Sequence, residues 1–89
     1  MVLVKRLVLD VLKPHQPNAL EFSQAIAKAG GGYRVCITVL EVDEKTETLQ
    51  VIVEGDAIDF CAVQSSINGL GGSLHSIDEV EVQGEPQAG

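Results

Sequence analysis

The sequence NALEF at residues 18–22 recurs in similar form as DAIDF at residues 56–60. Asn18 and Glu21 form the N-cap-x-x-Glu pattern of a capping box, which predicts a helix that begins here and runs to about Ala29. Each copy is followed by a helical pattern of apolar residues, a glycine pair and a strand-like segment. The repeat therefore predicts two similar halves with one helix each.

Strand-like patterns flank both predicted helices. An apolar run ends at KPHQP, residues 13–17, where the two prolines interrupt strands and helices alike. Residues 33–42 and 47–54 alternate between apolar and polar side chains, which is typical of half-buried strands joined by a hairpin turn. The predicted strands cover residues 3–13, 33–42, 47–54 and 73–82, and the second helix covers about Ala57 to Leu70.

The order β-α-β-β-α-β indicates two split β-α-β units with right-handed crossovers. This arrangement predicts an α+β fold, the ferredoxin-like sandwich: a four-stranded antiparallel sheet with two helices on one face. The first strand should lie centrally, beside the third and fourth. We expect a single domain over residues 1–82 and a frayed polar tail over residues 83–89.

The composition excludes several classes of protein. Apolar residues make up 45% of the chain and the formal net charge is −7, which would repel nucleic-acid backbones and anionic lipid surfaces. No apolar run approaches the roughly 20 residues that cross a bilayer. The N-terminal residues lack a signal-peptide pattern, so the expected compartment is the cytoplasm. Cys36 and Cys61 are interpreted as reduced, semi-buried thiols, with a disulfide left open.

Two helices can cover only one face of the predicted sheet, yet apolar residues occur on both. The inward set is Leu7, Leu9, Val11, Val35, Ile37, Val39, Leu49, Val51 and Val53. The opposite set contains Val4, Val8, Leu12, Cys36, Leu40 and Ile52. Monomers rarely expose an apolar patch of this kind. We therefore expect a second copy of the chain to cover it in a closed homo-oligomer, with scattered surface aliphatics as the alternative.

Asp10 should project from this second face, between Val8 and Leu12. A carboxylate at an interface needs a partner, and the candidates are Lys13, Arg34, or further acids together with a cation. Asp78 and Glu79 belong to the predicted last strand, next to the first, and carboxylate oxygens are the ligands of calcium and magnesium. The predicted cation ligands are therefore Asp10, Asp78 and Glu79. A second candidate is the hairpin cluster Glu41, Asp43, Glu44 and Glu47, with solvated turn acids as its alternative interpretation.

Known catalytic and cofactor motifs are missing from the sequence. It has no CxxC, no Walker-type loop and no GxGxxG, and the middle strands lack base-stacking aromatics. His75 with Ser76 and Asp78 resembles a nucleophilic set, but adjacent strand residues point to opposite faces unless a bulge intervenes. No catalytic residues are assigned.

Three segments together resemble an uncharacterised, mostly archaeal family, domain of unknown function 211: RLVLDVLKPHQP (6–17), ITVLEVDEKTE (37–47) and GLGGSLHSIDEV (69–80). The resemblance implies a ferredoxin-like fold with oligomeric, ring-like assembly and lends no activity. Its polar motif positions correspond here to Asp10, Lys13, His15, Glu41, Asp43, Thr46, Glu47, His75, Ser76, Asp78 and Glu79. The first helix departs from the family in its ending AKAGGG.

The resulting hypothesis is a self-assembling, non-enzymatic module that binds a cation or small ligand between subunits in a regulatory or sensing role. In addition to the cation ligands, the possible ligand-site residues are Lys13, His15, His75 and Ser76. The alternatives are a pure scaffold, or an enzyme of unknown reaction that uses His75 and nearby carboxylates.

Overall fold

A computed structural model describes residues 1–86 as a four-stranded sheet with two helices. The elements are β1 (Leu3–Pro14), α1 (Ala19–Ala27), β2 (Arg34–Val42), β3 (Thr46–Glu54), α2 (Phe60–Gly69) and β4 (Ser73–Gln83). The strand order is β2-β3-β1-β4 and every neighbouring pair is antiparallel. The predicted ferredoxin-like fold, with the first strand between the third and fourth, is confirmed.

The core lies between one face of the sheet and both helices. Alternate residues of β1 and β3 meet in register, so that Leu9 faces Val51 and Val11 faces Leu49. Phe22 and Ile26 of α1 and Val63 and Ile67 of α2 complete this fully buried cluster. Burying each of these large side chains contributes roughly 1.5–3 kcal/mol, which makes this layer the main source of stability.

The two helices begin differently, although the repeat suggested equivalent starts. In α1 the predicted cap is confirmed, since the Asn18 side chain accepts a hydrogen bond from the Glu21 amide at 2.9 Å. In α2 the cap is Asp59, three residues after Asp56. The reason is that the Ile58 amide donates to the Val4 carbonyl at 2.9 Å, which keeps this segment against β1.

The register of the β1–β4 pairing shifts at three places, and the β2–β3 register shifts once, between Val39 and Glu41. In β1, Val4 pairs with Val82 and Arg6 with Glu81, so Lys5 is an extra residue. This bulge shifts the alternation of side chains. The prediction that Val4 lies on the face away from the helices is therefore wrong, because Val4 packs against the core.

The ends of the chain and the cysteines complete the description. Gln83 is the last residue of β4, so the sheet extends one residue into the predicted tail, and residues 87–89 lie outside the described residues. Cys36 and Cys61 are not joined in a disulfide, and both are exposed, whereas semi-buried positions were predicted.

Candidate functional site

The candidate site is the open face, meaning the side of the sheet that the helices do not cover. Asp10 lies near its middle, with Gln50 of β3 and Ser76 of β4 as its register partners. Its side chain is half-buried, between Val8 and Leu12 along the strand. The predicted position of Asp10 on this face thus agrees with the register.

Neither of the basic residues considered for Asp10 reaches it. Lys13 is three residues along β1 and points to the helix-covered side, where it is fully buried. Arg34 is exposed and pairs in register with Glu54. None of the ion pairs within residues 1–86 includes Asp10. Asp10 is therefore a half-buried carboxylate without a cationic partner in the described part of its own chain.

Strand β4 brings further polar groups close to Asp10. The Ser76 hydroxyl donates a hydrogen bond to Asp78 Oδ1 at 2.6 Å. His75 and Asp78 are the extra residues of two bulges, so the strict alternation that separated His75 from Ser76 does not hold here. Both residues are exposed.

Glu79 forms an ion pair with Arg6. Arg6 Nε donates to Glu79 Oε1 at 2.9 Å, and Arg6 Nη1 donates to Glu54 Oε2 at 3.0 Å. These contacts, with Glu79 first and Glu54 second, raise the pKa of Arg6 above its ordinary value. Within residues 1–86, no three His, Cys, Asp or Glu side chains are grouped closely enough to hold a metal ion. One copy of the described chain does not assemble the predicted cation ligands into a site.

The apolar surface differs from the predicted one. On the open face Val8 is only 5% exposed, flanked by Ile52 and the ion-paired Glu79, and Leu12 and Ile52 are half-buried. The most exposed aliphatic side chains of the sheet instead lie on its two edge strands. They are Val39, Leu40 and Val42 of β2, and Ile77, Val80 and Val82 of β4, each between 41% and 64% exposed.

A second polar cluster, which the sequence analysis did not identify, joins Lys13, Glu47 and His15. Lys13 Nζ lies 3.0 Å from Glu47 Oε1 and donates to the carbonyls of Pro14, His15 and Pro17 at 2.8, 3.3 and 2.7 Å. His15 Nδ1 lies 3.0 Å from Glu47 Oε2. Lys13 and His15 thus form a site with Glu47, at the edge of the helix-covered side, and not with Asp10.

This cluster shifts the titration of two of its members. The hydrogen bond from His15 and then that from Lys13 hold the pKa of Glu47 below its ordinary value. The hydrogen bond to Glu47, and next that to the Glu44 carbonyl, raise the pKa of His15. Both effects favour the charged forms, and the contacts of the cluster tie the β1–α1 loop to β3.

The fold and the open face together define the chain as a ferredoxin-like α+β domain whose strands β2 and β4 form the two edges of the described sheet. The profile of the family described as "Uncharacterized ArCR", domain of unknown function 211, matches residues 5–86. The chain belongs to this family, as the sequence motifs suggested.

The chain is also similar to an uncharacterized protein of the archaeon Methanocaldococcus jannaschii, with 43% identity over 77 residues. The match covers 86% of this chain and 79% of that protein. Among solved structures, a match to the full extracellular region of zebrafish Gpr126/Adgrg6 has 21% identity and a TM-score of 0.35. It covers 91% of this chain and 13% of that one, and it carries no argument about this protein.

Within residues 1–86 no helix has the length and hydropathy needed to span a membrane.

Proposed function

We propose that this protein is a self-assembling ferredoxin-like module that binds a cation or a small ligand where subunits meet, in a regulatory or sensing role. The observation that carries the proposal is Asp10: a half-buried carboxylate on the open face without a cationic partner among residues 1–86. Burial of an unpaired charge is costly. Either a cation or a neighbouring copy would supply the missing compensation.

The edge strands support self-association. Both β2 and β4 have one side without a partner strand in the described sheet, so each presents free backbone N–H and C=O groups. Six aliphatic side chains on these two strands remain 41% to 64% exposed. Pairing β4 of one copy with β2 of the next would cover both edges and can repeat around a closed ring.

The polar groups near Asp10 favour a hard cation over a transition metal. Asp10, Ser76 and Asp78 offer oxygen atoms from neighbouring strands, and calcium takes six to eight such ligands. The described residues of one copy provide too few, since Glu79 is held by Arg6. In our proposal the remaining oxygens come from a second copy or from water, so that cation binding depends on assembly.

The experiment combines light scattering with thermal unfolding in the presence of calcium, magnesium or a chelator. The proposal expects an oligomer whose melting temperature rises with one of the two cations, and a weaker rise for Asp10→Asn. The matched control is Asp56→Asn, which changes an exposed acid outside the sheet. An oligomer without any cation response would favour a pure scaffold, and a monomer would contradict the proposal altogether.

A further inference from the structure

Both ring nitrogens of His15 face hydrogen-bond acceptors. Nδ1 lies 3.0 Å from Glu47 Oε2, and Nε2 lies 3.0 Å from the carbonyl oxygen of Glu44. An ionised carboxylate and a carbonyl cannot donate, so each contact needs a proton on the ring nitrogen. Neutral histidine carries one such proton and can satisfy only one of the two contacts. The geometry therefore selects the imidazolium form.

The two contacts connect different parts of the chain. His15 belongs to the loop between β1 and α1, Glu47 to β3, and Glu44 to the turn at residues 43–46, which we call the hairpin tip. The Asp43 amide donates to the Thr46 carbonyl at 2.8 Å and closes this tip. The contact to the Glu44 carbonyl attaches the tip to the loop. The Asp43 backbone also interacts with the His15 ring, and Thr46 pairs in register with Pro14 at the end of β1.

Lys13 keeps the β1–α1 loop attached to β3 independently of His15. Its Nζ holds the other oxygen of Glu47 and three carbonyls of the loop, and its side chain is fully buried. The loop therefore stays on β3 whatever the charge of His15. If the His15 ring loses one of its two protons, only one of its two contacts can remain. The contacts of Lys13 still hold the rest of the cluster together.

The charged groups around the ring come from three elements. Lys13 of β1 and Glu47 of β3 belong to the cluster, and the charged residues of the hairpin tip are Asp43, Glu44 and Lys45, whose side chains are all exposed. Glu47 makes the direct ionic contact. Lys13 opposes the positive charge on His15 but is itself paired with Glu47.

We propose that His15 is a pH-dependent clamp, which holds the hairpin tip on the β1–α1 loop while the ring carries both protons and releases the tip when one proton is lost. The tip ends strand β2, whose Val42 is 64% exposed and pairs in register with Glu47. Release would loosen this end of the β2 edge. The clamp does not involve Asp10, so it holds or fails independently of the proposed cation site.

The direction of the pH effect follows from the raised pKa of His15, whose main cause is the hydrogen bond to Glu47. The stabilising effect is complete below the ordinary histidine pKa of about 6.5. It disappears as the pH rises through the higher pKa of the folded protein. The pKa of Glu47 is lowered, so its own contribution persists above the ordinary glutamate range and is lost only in stronger acid.

Nuclear magnetic resonance on the full chain tests the clamp, since His15 and His75 are its two histidines. Nitrogen chemical shifts of the imidazole rings should show both His15 nitrogens protonated at about pH 6, and that state should persist to higher pH than in free histidine. Hydrogen exchange, corrected for intrinsic base catalysis, should show that the Asp43 amide, which donates to the Thr46 carbonyl, loses protection on the same titration.

The control variant is His75→Ala, which removes an exposed histidine of β4. It should keep the full pH dependence of protection at the hairpin tip. His15→Ala should show low protection at every pH while the amides of β1 and β3 stay protected. A singly protonated His15 ring at about pH 6, or tip protection that does not change as His15 titrates, would overturn the proposal.

Discussion

Replacement of Lys13 by methionine tests the ionic network at its buried member. Methionine keeps an unbranched apolar stem but removes the ammonium, which contacts Glu47 and three loop carbonyls. Lys13 is 0% exposed and the Glu47 side chain 17% exposed, so water replaces the lost contacts poorly. Glu47 keeps its contact to His15, so the expected cost comes from the weakened ion pair and the carbonyls left without a donor, about 1–3 kcal/mol.

The expected loss is large relative to the stability of a domain of this size. One kcal/mol corresponds to about 4–8 °C in the melting temperature of a 60–100-residue domain, so the melting temperature should fall by at least about 4 °C. Unfolding by heat and by urea should be followed at one fixed protein concentration, because assembly makes stability concentration-dependent. Lys28→Met, at an exposed position after α1, is the control and should change little. A loss below about 1 kcal/mol for Lys13→Met would refute this interpretation of the network.

Two further predictions concern α1 and the turn that follows it. Asn18→Ala removes the cap on the Glu21 amide and should lower the free energy of unfolding by about 1 kcal/mol in urea titrations, whereas Asn68→Ala, at an exposed position in α2, should not lower it. Gly30→Ala would place a methyl group inside the space of the Tyr33 ring, which should shift Tyr33 and lower the melting temperature. Gly31→Ala meets no atom within 4 Å and serves as its control; equal melting temperatures for the two alanine variants would contradict the packing argument.

The sequence predicted the fold because its decisive signals are local. Alternation identified β2 and β3 to within one residue at either end, and the capping pattern placed Asn18 correctly. The start of α2 was predicted too early, because Ile58 is held by a long-range hydrogen bond to Val4. No pattern in residues 56–60 reveals that contact.

The candidate site was predicted only in part, for a related reason. The position of Asp10 depends on simple alternation in the regular middle of β1, and it agreed with the structure. Val4 and His75 lie at bulges, where strict alternation fails without a warning in the sequence. Lys13 was considered as an ion-pair partner of Asp10 because it is close to Asp10 in the sequence. Its odd spacing from Asp10 already placed it on the opposite face, beside Glu47.

Copies of this chain are expected to meet at β2 and β4, whose outer sides have no partner strand within residues 1–86, so the molar mass in solution is the decisive measurement. One chain has a mass of 9.4 kDa. Size-exclusion chromatography with multi-angle light scattering at micromolar concentration should give a single species at two or more times that mass, and Val80→Asp in the β4 edge should reduce it. A wild-type mass of 9.4 kDa under these conditions would contradict the account.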